Sequence, residues 1–289
     1  MAQDTCALRL AHPADAPWIE AFLADYADTS MFLRSNLAAH GLEPSADGHA
    51  TEMFVQDRGD AVRGVLGLSN SGYLMAQMPY DGDIAPARAH WQGRSVLGMT
   101  GVPEQAVQVQ AALGLSNAPA SLVENEPLYT LDLADLAGPF DILRATRADD
   151  AEMLETWFFN YRRDTGSTGT DEAAWAEARA RTRRALDGTG TRIPERDGQP
   201  VAMTTFNAQV ADIVQVGGVF VSRALRNKGY GRRVVAAHLA EARARGVTRA
   251  ILFAASATAA RAYEGIGFRR IGAYRVVLFE PPATIKGAT

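Results

Sequence analysis

The chain holds a single cysteine, Cys6. No disulfide can form within it, and a reducing cytoplasm is its expected home. Its five histidines are His12, His40, His49, His90 and His238. No two stand four apart and none has a cysteine neighbour, which speaks against a metal site. No apolar run reaches the roughly 18 residues that a membrane span needs. The opening MAQDTCALRL has neither a basic start nor a long apolar core, so no signal peptide is expected there. Lysine is missing from residues 1–137. What is present, 47% hydrophobic and 21% charged residues over 289 positions, fits a globular protein of one large or two ordinary domains.

The net charge of −4 conceals an asymmetry. Residues 1–137 carry six arginines and 17 acidic residues, a balance of −11; residues 138–289 carry 23 basic and 16 acidic residues, a balance of +7. A basic half beside an acidic half suggests that the second half handles an anion. Much of that charge sits on arginine-rich stretches with helical composition (EARARTRRALD, EARARG), so a solvated surface accounts for part of it. The basic residues are not interleaved with aromatics and no nucleic-acid motif is present, so neither nucleic acid nor membrane is an expected partner.

The two halves open alike. ALRLAHPADAPWIEAFLADYADTS and FDILRATRADDAEMLETWFFNYRRDTG coincide at several positions when offset by 135 residues: Arg9 with Arg144, Asp15 with Asp150, Ala16 with Ala151, Glu20 with Glu155, and Tyr26 with Tyr161. Phe22 and Trp157 coincide as aromatics. Each opening reads as a strand, an Asp-capped turn and an amphipathic helix. A repeat this long suits two copies of one domain rather than a solenoid. A strand ends at 126–133, and Ala137-Gly138-Pro139 then breaks the chain. The expected domains are therefore 1–137 and 138–289.

In the second half the pattern predicts a strand at Ile142–Ala145, helices to about Tyr161 and over about 171–187, and a hairpin turning at Asp197-Gly198. A strand at Asp212–Ser222, a helix at about 230–245, a buried strand at Arg249–Phe253, a helix at 257–266 and final strand structure over Phe268–Phe279 follow. This order predicts an α/β chain with an α+β type of mixed sheet and helices on its faces. In the first half TEMFVQD, AVRGVLGLS and GYLMAQMP read as a meander. A strand and a helix entered near Pro103 come after it. Nothing there matches the turn described next.

That turn lies in VGGVFVSRALRNKGYGRR, residues 216–233. An apolar strand runs into Arg226-Asn227-Lys228-Gly229-Tyr230-Gly231 and then at once into a helix. Helix N-terminal N–H groups lack intrahelical partners and carry partial positive charge, so an anion can take both. Glycines let the backbone approach a phosphate without Cβ interference. Arg226, Lys228, Arg232 and Arg233 add positive potential. The alternative is a tight turn solubilised by arginine.

Over about 140–280 the chain resembles the GNAT superfamily of N-acetyltransferases. That family carries Arg/Gln-x-x-Gly-x-Gly/Ala between its central strand and the following helix, here Arg226 to Gly231. A second resemblance is Ser256 to Phe268, SATAARAYEGIGF, with a Tyr on the helix and a Gly-Phe entering the next strand. The pair looks like a tandem GNAT protein in which 1–137 is a degenerate copy and 138–289 the catalytic domain. The resemblance implies acetyl-CoA as donor, with its pyrophosphate at Arg226, Asn227, Lys228, Gly229, Tyr230, Gly231 and Arg232. It implies the pantetheine arm along Val219, Phe220 and Val221, and a contact at Ser256, where the family often has Asn. Tyr263 falls at the position of the general acid for the leaving thiolate, although its spacing with Ala259 and Ile266 also suits a half-buried core aromatic. A backbone N–H near Val219 would serve the oxyanion, and Gly217-Gly218 would permit a bulge.

The family's usual Glu base falls at Gln215, whose amide accepts no proton at neutral pH. His238, mid-helix, reads as a boundary residue rather than a base. The acceptor would be an amine of a small molecule or protein, with Trp157, Tyr161, Met203, Asn207 and Gln215 available for its pocket. A longer acyl or aminoacyl group, or non-catalytic acyl-CoA binding, are the other readings. Association as a homodimer is left open.

Overall fold

The computed structural model describes residues 7–58, 61–79, 82–166, 169–188 and 190–287; Cys6 lies outside them. In chain order the elements are β1 (Ala7–Leu10), α1 (Ala16–Asp25), α2 (Met31–His40), β2 (Thr51–Arg58), β3 (Ala61–Ser69), β4 (Tyr73–Gln77), α3 (Ala85–His90), β5 (Ser95–Gly101), α4 (Pro103–Ala112) and β6 (Ala120–Asp132). They continue with β7 (Leu143–Ala145), α5 (Ala151–Asp164), α6 (Asp171–Asp187), β8 (Thr191–Arg196), β9 (Gln199–Pro200), β10 (Ala202–Gln209) and β11 (Ile213–Val221). The last are α7 (Tyr230–Ala244), β12 (Arg249–Phe253), α8 (Ala257–Glu264) and β13 (Arg269–Thr284). The mixed α/β architecture read from the sequence is the one observed.

The chain forms two compact units that do not follow the expected boundary at 137/138. One comprises 1–126 with 273–289, the other 127–272. Strand pairing, rather than the Gly138-Pro139 break, decides the division. Leu128–Asp132 of β6 pairs antiparallel with β12 inside the second unit. The later part of β13, from Arg275 to Thr284, pairs antiparallel with β5 inside the first.

In the first unit, β1 to β4 form the antiparallel meander that alternating apolar residues specify. Strand β5 then pairs parallel with β4. Val55 and Val65 face Ile19, Leu23 and Leu33 of α1 and α2. Leu66, Leu68 and Met99 face Ala87, Ala106 and Val109 of α3 and α4. In the second unit the strand order is β6-β12-β11-β10-β8-β7, and among the described residues only β11 and β12 pair parallel. Helices α5 and α6 bury Leu154, Phe158 and Ala178 against Ile193, Met203 and Phe220 on one face. Helices α7 and α8 bury Val234, Leu239 and Tyr263 against Val214, Val216 and Leu252 on the other. The β8–β9 hairpin turns at Asp197 (φ 52°) and Gly198 (φ 72°), both left-handed, as that dipeptide requires.

The 135-residue offset reappears as a shared network. Arg9 grips Asp15 through Nη1 and Nη2 at 2.6 and 3.1 Å, and the His12 N–H donates to the same carboxylate at 2.7 Å. Arg144 grips Asp150 at 2.7 and 2.9 Å, and the Arg147 N–H donates at 2.7 Å. Each arginine also spends its Nε on a second acid, Asp57 or Glu195. In both, the arginine's hydrogen bond holds the aspartate's pKa below the usual carboxylate range. The second network is more enclosed: the Arg144 and Asp150 side chains are 15% and 8% exposed, against 46% and 18% for Arg9 and Asp15.

Removing the carboxylate strands a half-buried guanidinium and an N–H. Asp150→Ala is expected to cost roughly 3 kcal/mol, an amount typical of breaking one side of a buried pair. Asp15→Ala is expected to cost about 1 kcal/mol or less, as exposed pairs do. Urea unfolding of the two variants checks the ranking, and equal losses would contradict it.

Candidate active site

The site of the second unit begins with a fault in β11. Along a regular strand, residues two apart share a face. Val214 and Val216 face α7, yet it is Val219 and Val221, not 218 and 220, that rejoin that face, while Phe220 packs on the opposite side. One extra residue has been inserted. The register confirms it, since Met203 pairs with Phe220 but Thr205 pairs with Gly217. Gly218 has φ +56°, and a Cβ there would stand 2.4 Å from Thr205 Cγ2. A Cβ on Gly217 would stand 1.9 Å from the Asn207 amide nitrogen. The Gly217-Gly218 pair therefore permits the expected bulge where other residues would not fit.

Beyond this point the two parallel strands part. Pairing of β11 with β12 ends at Val216–Leu252, although β11 runs on to Val221. The edge of Gly217–Val221 that faced β12 is left open, and a cleft of about 970 Å³ occupies the gap. Its walls are Val216–Val221 of β11, the turn and helix start over 225–232, Leu252 and Phe253 of β12, Ser256 and one face of α8, and Tyr161, Asp164 and Thr165 at the end of α5.

The turn presents unused backbone donors to the cleft. Asn227 (φ 62°) and Gly229 (φ 79°) are left-handed. Gly229 occupies the N-cap position of α7 and has no side chain with which to cap it. Among the described residues, the N–H groups of 227–232 donate no hydrogen bond. Lys228 and Arg232 line the cleft, and neither is ion-paired among the described residues. Arg226 is spent differently. Its Nη2 binds Asp164, its Nε donates to the Val221 carbonyl at 3.1 Å, and it lies over the Phe220 ring at 5.8 Å. Arg223 also reaches Asp164, at 3.1 Å. Burial alone would raise the Asp164 pKa, but these two hydrogen bonds outweigh it and hold it low. Asp164 carried no sequence signal, because its partners lie about 60 residues away.

The structure thus brings Val219, Phe220, Val221, Arg226 to Arg232, Ser256 and Tyr263 to one cleft. Two expectations, for Arg233 and Gln215, need correction, while Ser256 keeps its place in the cleft wall. Arg233 is bound by Asp141 and stands outside the cleft walls. Ser256 Oγ accepts from the Ala259 N–H at 3.1 Å and caps α8, so its side chain has a structural duty. Gln215 is not in the cleft. Alternation places it opposite Val214 and Val216, 1% exposed, with Oε1 unpartnered and Nε2 3.4 Å from the Val216 carbonyl. Of the residues considered for an acceptor pocket, Tyr161 lines the cleft, while Met203 is core and Trp157 packs on Phe220 at 5.7 Å. Tyr263 keeps both roles open: it is 8% exposed, makes an edge contact with Phe268 at 6.1 Å, and lines the cleft. His238 is buried, stacked on Phe206 at 3.7 Å with Nδ1 unpartnered, and is no part of the site. Burial, with Arg192 and Arg245 nearby, pushes its pKa down to about 3.

No helix among the described residues is long and apolar enough to cross a membrane. Residues 152–268 match the model of the acetyltransferase (GNAT) family. Among solved structures, a GCN5-related N-acetyltransferase from Sphaerobacter thermophilus is 15% identical with a TM-score of 0.53, covering 100% of this chain and 98% of that one. One from Kribbella flavida is 16% identical with a TM-score of 0.53, covering 90% and 95%. A tandem GNAT protein from the clavulanic acid biosynthesis pathway is 16% identical with a TM-score of 0.50, covering 98% and 99%. At these identities the likeness is one of fold. No curated protein sequence matches the chain.

Two stability measurements probe this geometry. Gly218→Ala combines a left-handed Ala with an overpacked contact at Thr205, and is expected to cost roughly 2–4 kcal/mol. A variant as stable as the parent in urea would mean that the strand carries no such bulge. His238 is neutral in the fold and takes a proton below about pH 6.5 once unfolded. Its contribution is therefore present in full above that pH and is lost as pH falls toward 3. Compared with His238→Gln, the parent should lose stability faster on acidification, by up to about 1.4 kcal/mol per pH unit. Parallel pH curves would refute the buried neutral state.

Proposed function

We propose that the second unit is an acetyl-CoA-dependent N-acetyltransferase, a reading supported by the match of residues 152–268 to the GNAT acetyltransferase family model and by the chain's likeness in fold to a tandem GNAT protein. It would act in the cytoplasm on an amine of a small molecule or protein. One observation carries the reading: an open strand edge and a run of undonated helix-start N–H groups face the same cleft.

The residues suit the donor. The N–H groups of 227–232, with Lys228 and Arg232, match the charge and hydrogen-bonding needs of a pyrophosphate. The edge of Gly217–Val221 offers main-chain donors and acceptors to a pantetheine arm, except at the Val221 carbonyl, which Arg226 already uses. When bound, acetyl-CoA supplies an activated acetyl group, so that a C–N bond to the amine forms as the C–S bond breaks and the sulfur takes a proton. The N–H near Val219, freed at the bulge, is the donor for negative charge developing on the carbonyl oxygen. Tyr263, in the wall across from it, holds the proton for the sulfur.

Among the described residues, the cleft wall offers the amine no free carboxylate or imidazole as base. Gln215 is out of reach, and the one carboxylate in the wall, Asp164, is bound by two arginines. The amine must then react from its neutral fraction or lose its proton to water. The same absence favours a second reading, a non-catalytic acyl-CoA-binding module.

Release of free thiol over a panel of amines separates the two readings, since CoA binding with no thiol release from any amine leaves only the module. Gly231→Glu tests the cradle. Its Cβ meets only Val221 Cγ2 at 3.6 Å, so the fold should stand while the carboxylate repels phosphate. Calorimetry should show CoA affinity falling at least tenfold, the loss of about 1.4 kcal/mol that one repelled charge-assisted contact brings. Unchanged affinity would remove pyrophosphate from this turn. Tyr263→Phe should keep CoA affinity and slow turnover by roughly 10²-fold or more. Full turnover across pH would end the acid role.

A further inference from the structure

One cation beside the bulge has no use in the scheme above. Arg181 lies on α6, and its guanidinium stands over the Phe158 ring at 4.9 Å and the Tyr161 ring at 5.0 Å. Its Nη2 is 3.4 Å from where a Cβ on Gly218 would be, so it reaches the point at which β11 leaves β12. The side chain is 19% exposed. Its only acidic neighbour among the described residues is Glu177, 3.8 Å from Nη1, and that carboxylate is already held by Arg162 at 2.7 Å. The guanidinium carbon lies over both rings, and Nη2 has no protein acceptor among the described residues. A mostly buried cation with undonated N–H groups is costly unless something completes it.

We propose that Arg181 is an acceptor-binding residue and that the acceptor is an amine bearing a carboxylate, of the amino-acid class. The inference rests on the reading of the cleft as an acyl-transfer site, because it takes the neighbourhood of Gly218 as the place where amine and acyl group meet. The chemistry selects the class. A planar fork held by aromatic rings matches a carboxylate through two parallel hydrogen bonds. A diamine or other polycation would meet like charge at the same point. Arg162, Glu177 and Arg181 together carry one net positive charge, which a single carboxylate neutralises. Tyr161 lines the cleft and stacks under Arg181, so it joins the two sites.

The test uses the full chain in two assays. In the first, CoA-loaded protein is titrated calorimetrically with N-acetyl amino acids spanning the standard side chains and with the matching amides. In the second, thiol release is followed with free amino acids, amino-acid amides and diamines. Acids are expected to bind and to give a lower KM than amides, by roughly tenfold to a hundredfold, as one charge-assisted hydrogen-bonded pair provides. Arg181→Gln should abolish that preference, raising KM for the acids while leaving kcat, KM for the amides and CoA affinity near their parent values. Arg181→Lys, which keeps charge but loses the fork, should recover only part of it.

Preference for amides or diamines overturns the inference. So does a fall in kcat that is equal for acids and amides in Arg181→Gln, which would place the guanidinium at the acyl oxygen. CoA binding with no acid binding overturns the acceptor class alone. Failure to bind CoA overturns the acyl-transfer reading, and titration of the acids without CoA then still scores Arg181.

Discussion

Everything in the second unit's cleft depends on one inserted residue in β11. A parallel pair normally continues until one strand ends. Here it stops at Val216–Leu252, one residue before β12 itself ends at Phe253, while β11 runs on through the Gly217-Gly218 bulge to Val221 unpaired with β12. The consequence is threefold. An edge with main-chain donors and acceptors is exposed. A gap opens between two strand ends. The glycine turn that follows is carried to the mouth of that gap, with the start of α7 facing it. The side chains of Thr205 and Asn207 fill the space that Cβ atoms would have taken, so the bulge is held from the neighbouring strand as well as by its own dihedral angles.

The first unit shows what the same scaffold does without the insertion. It repeats the Arg–Asp staple, the meander and the single parallel pair. Its β4 has five residues, and four of them, Tyr73 to Ala76, pair with β5. Gln77 alone outruns that pairing, against the five residues 217–221 of β11, and no left-handed glycine starts a helix among its described residues. This unit keeps the packing of the fold, with two apolar cores. The staple belongs to folding: it ties a strand end to the start of the next helix through an aspartate that also accepts an N–H. The bulge belongs to the cleft. That the two features separate between units shows that they are physically independent.

Local features were legible in the sequence. Glycine pairs, the Asp197-Gly198 hairpin, the apolar period of α5 and α7, and the strand–turn–helix around Gly229 all depend on neighbours within a few residues. What was not legible depends on partners far along the chain. Nothing in Leu128–Asp132 says that it pairs with β12, or in 275–284 that it pairs with β5, so the chain break at Gly138-Pro139 does not coincide with the division into compact units. Spacing from the glycine turn points to Gln215, but its face is set by the alternation of Val214 and Val216, which sends it into the core. The +7 balance of the second half pointed to an anion, yet Arg144, Arg162, Arg163, Arg192, Arg196 and Arg233 are spent on carboxylates of the same unit. Net charge counts all arginines alike, while the field in a cleft depends on the few left unpaired.

Asp164 sharpens that distinction. It ends α5, which supplies Tyr161 and Thr165 to the cleft, and it binds Arg223 and Arg226, which flank the glycine turn. A single carboxylate thus ties the wall beside the strand opening to the wall that would face phosphate. It also removes most of the charge of Arg226 from the site. The positive potential at the start of α7 is left to Lys228, Arg232 and the undonated N–H groups. Main-chain N–H groups do not move, whereas long cationic side chains do. Spending the arginine on the frame and leaving the anion to the backbone therefore makes the cradle a property of the fold rather than of any one side chain.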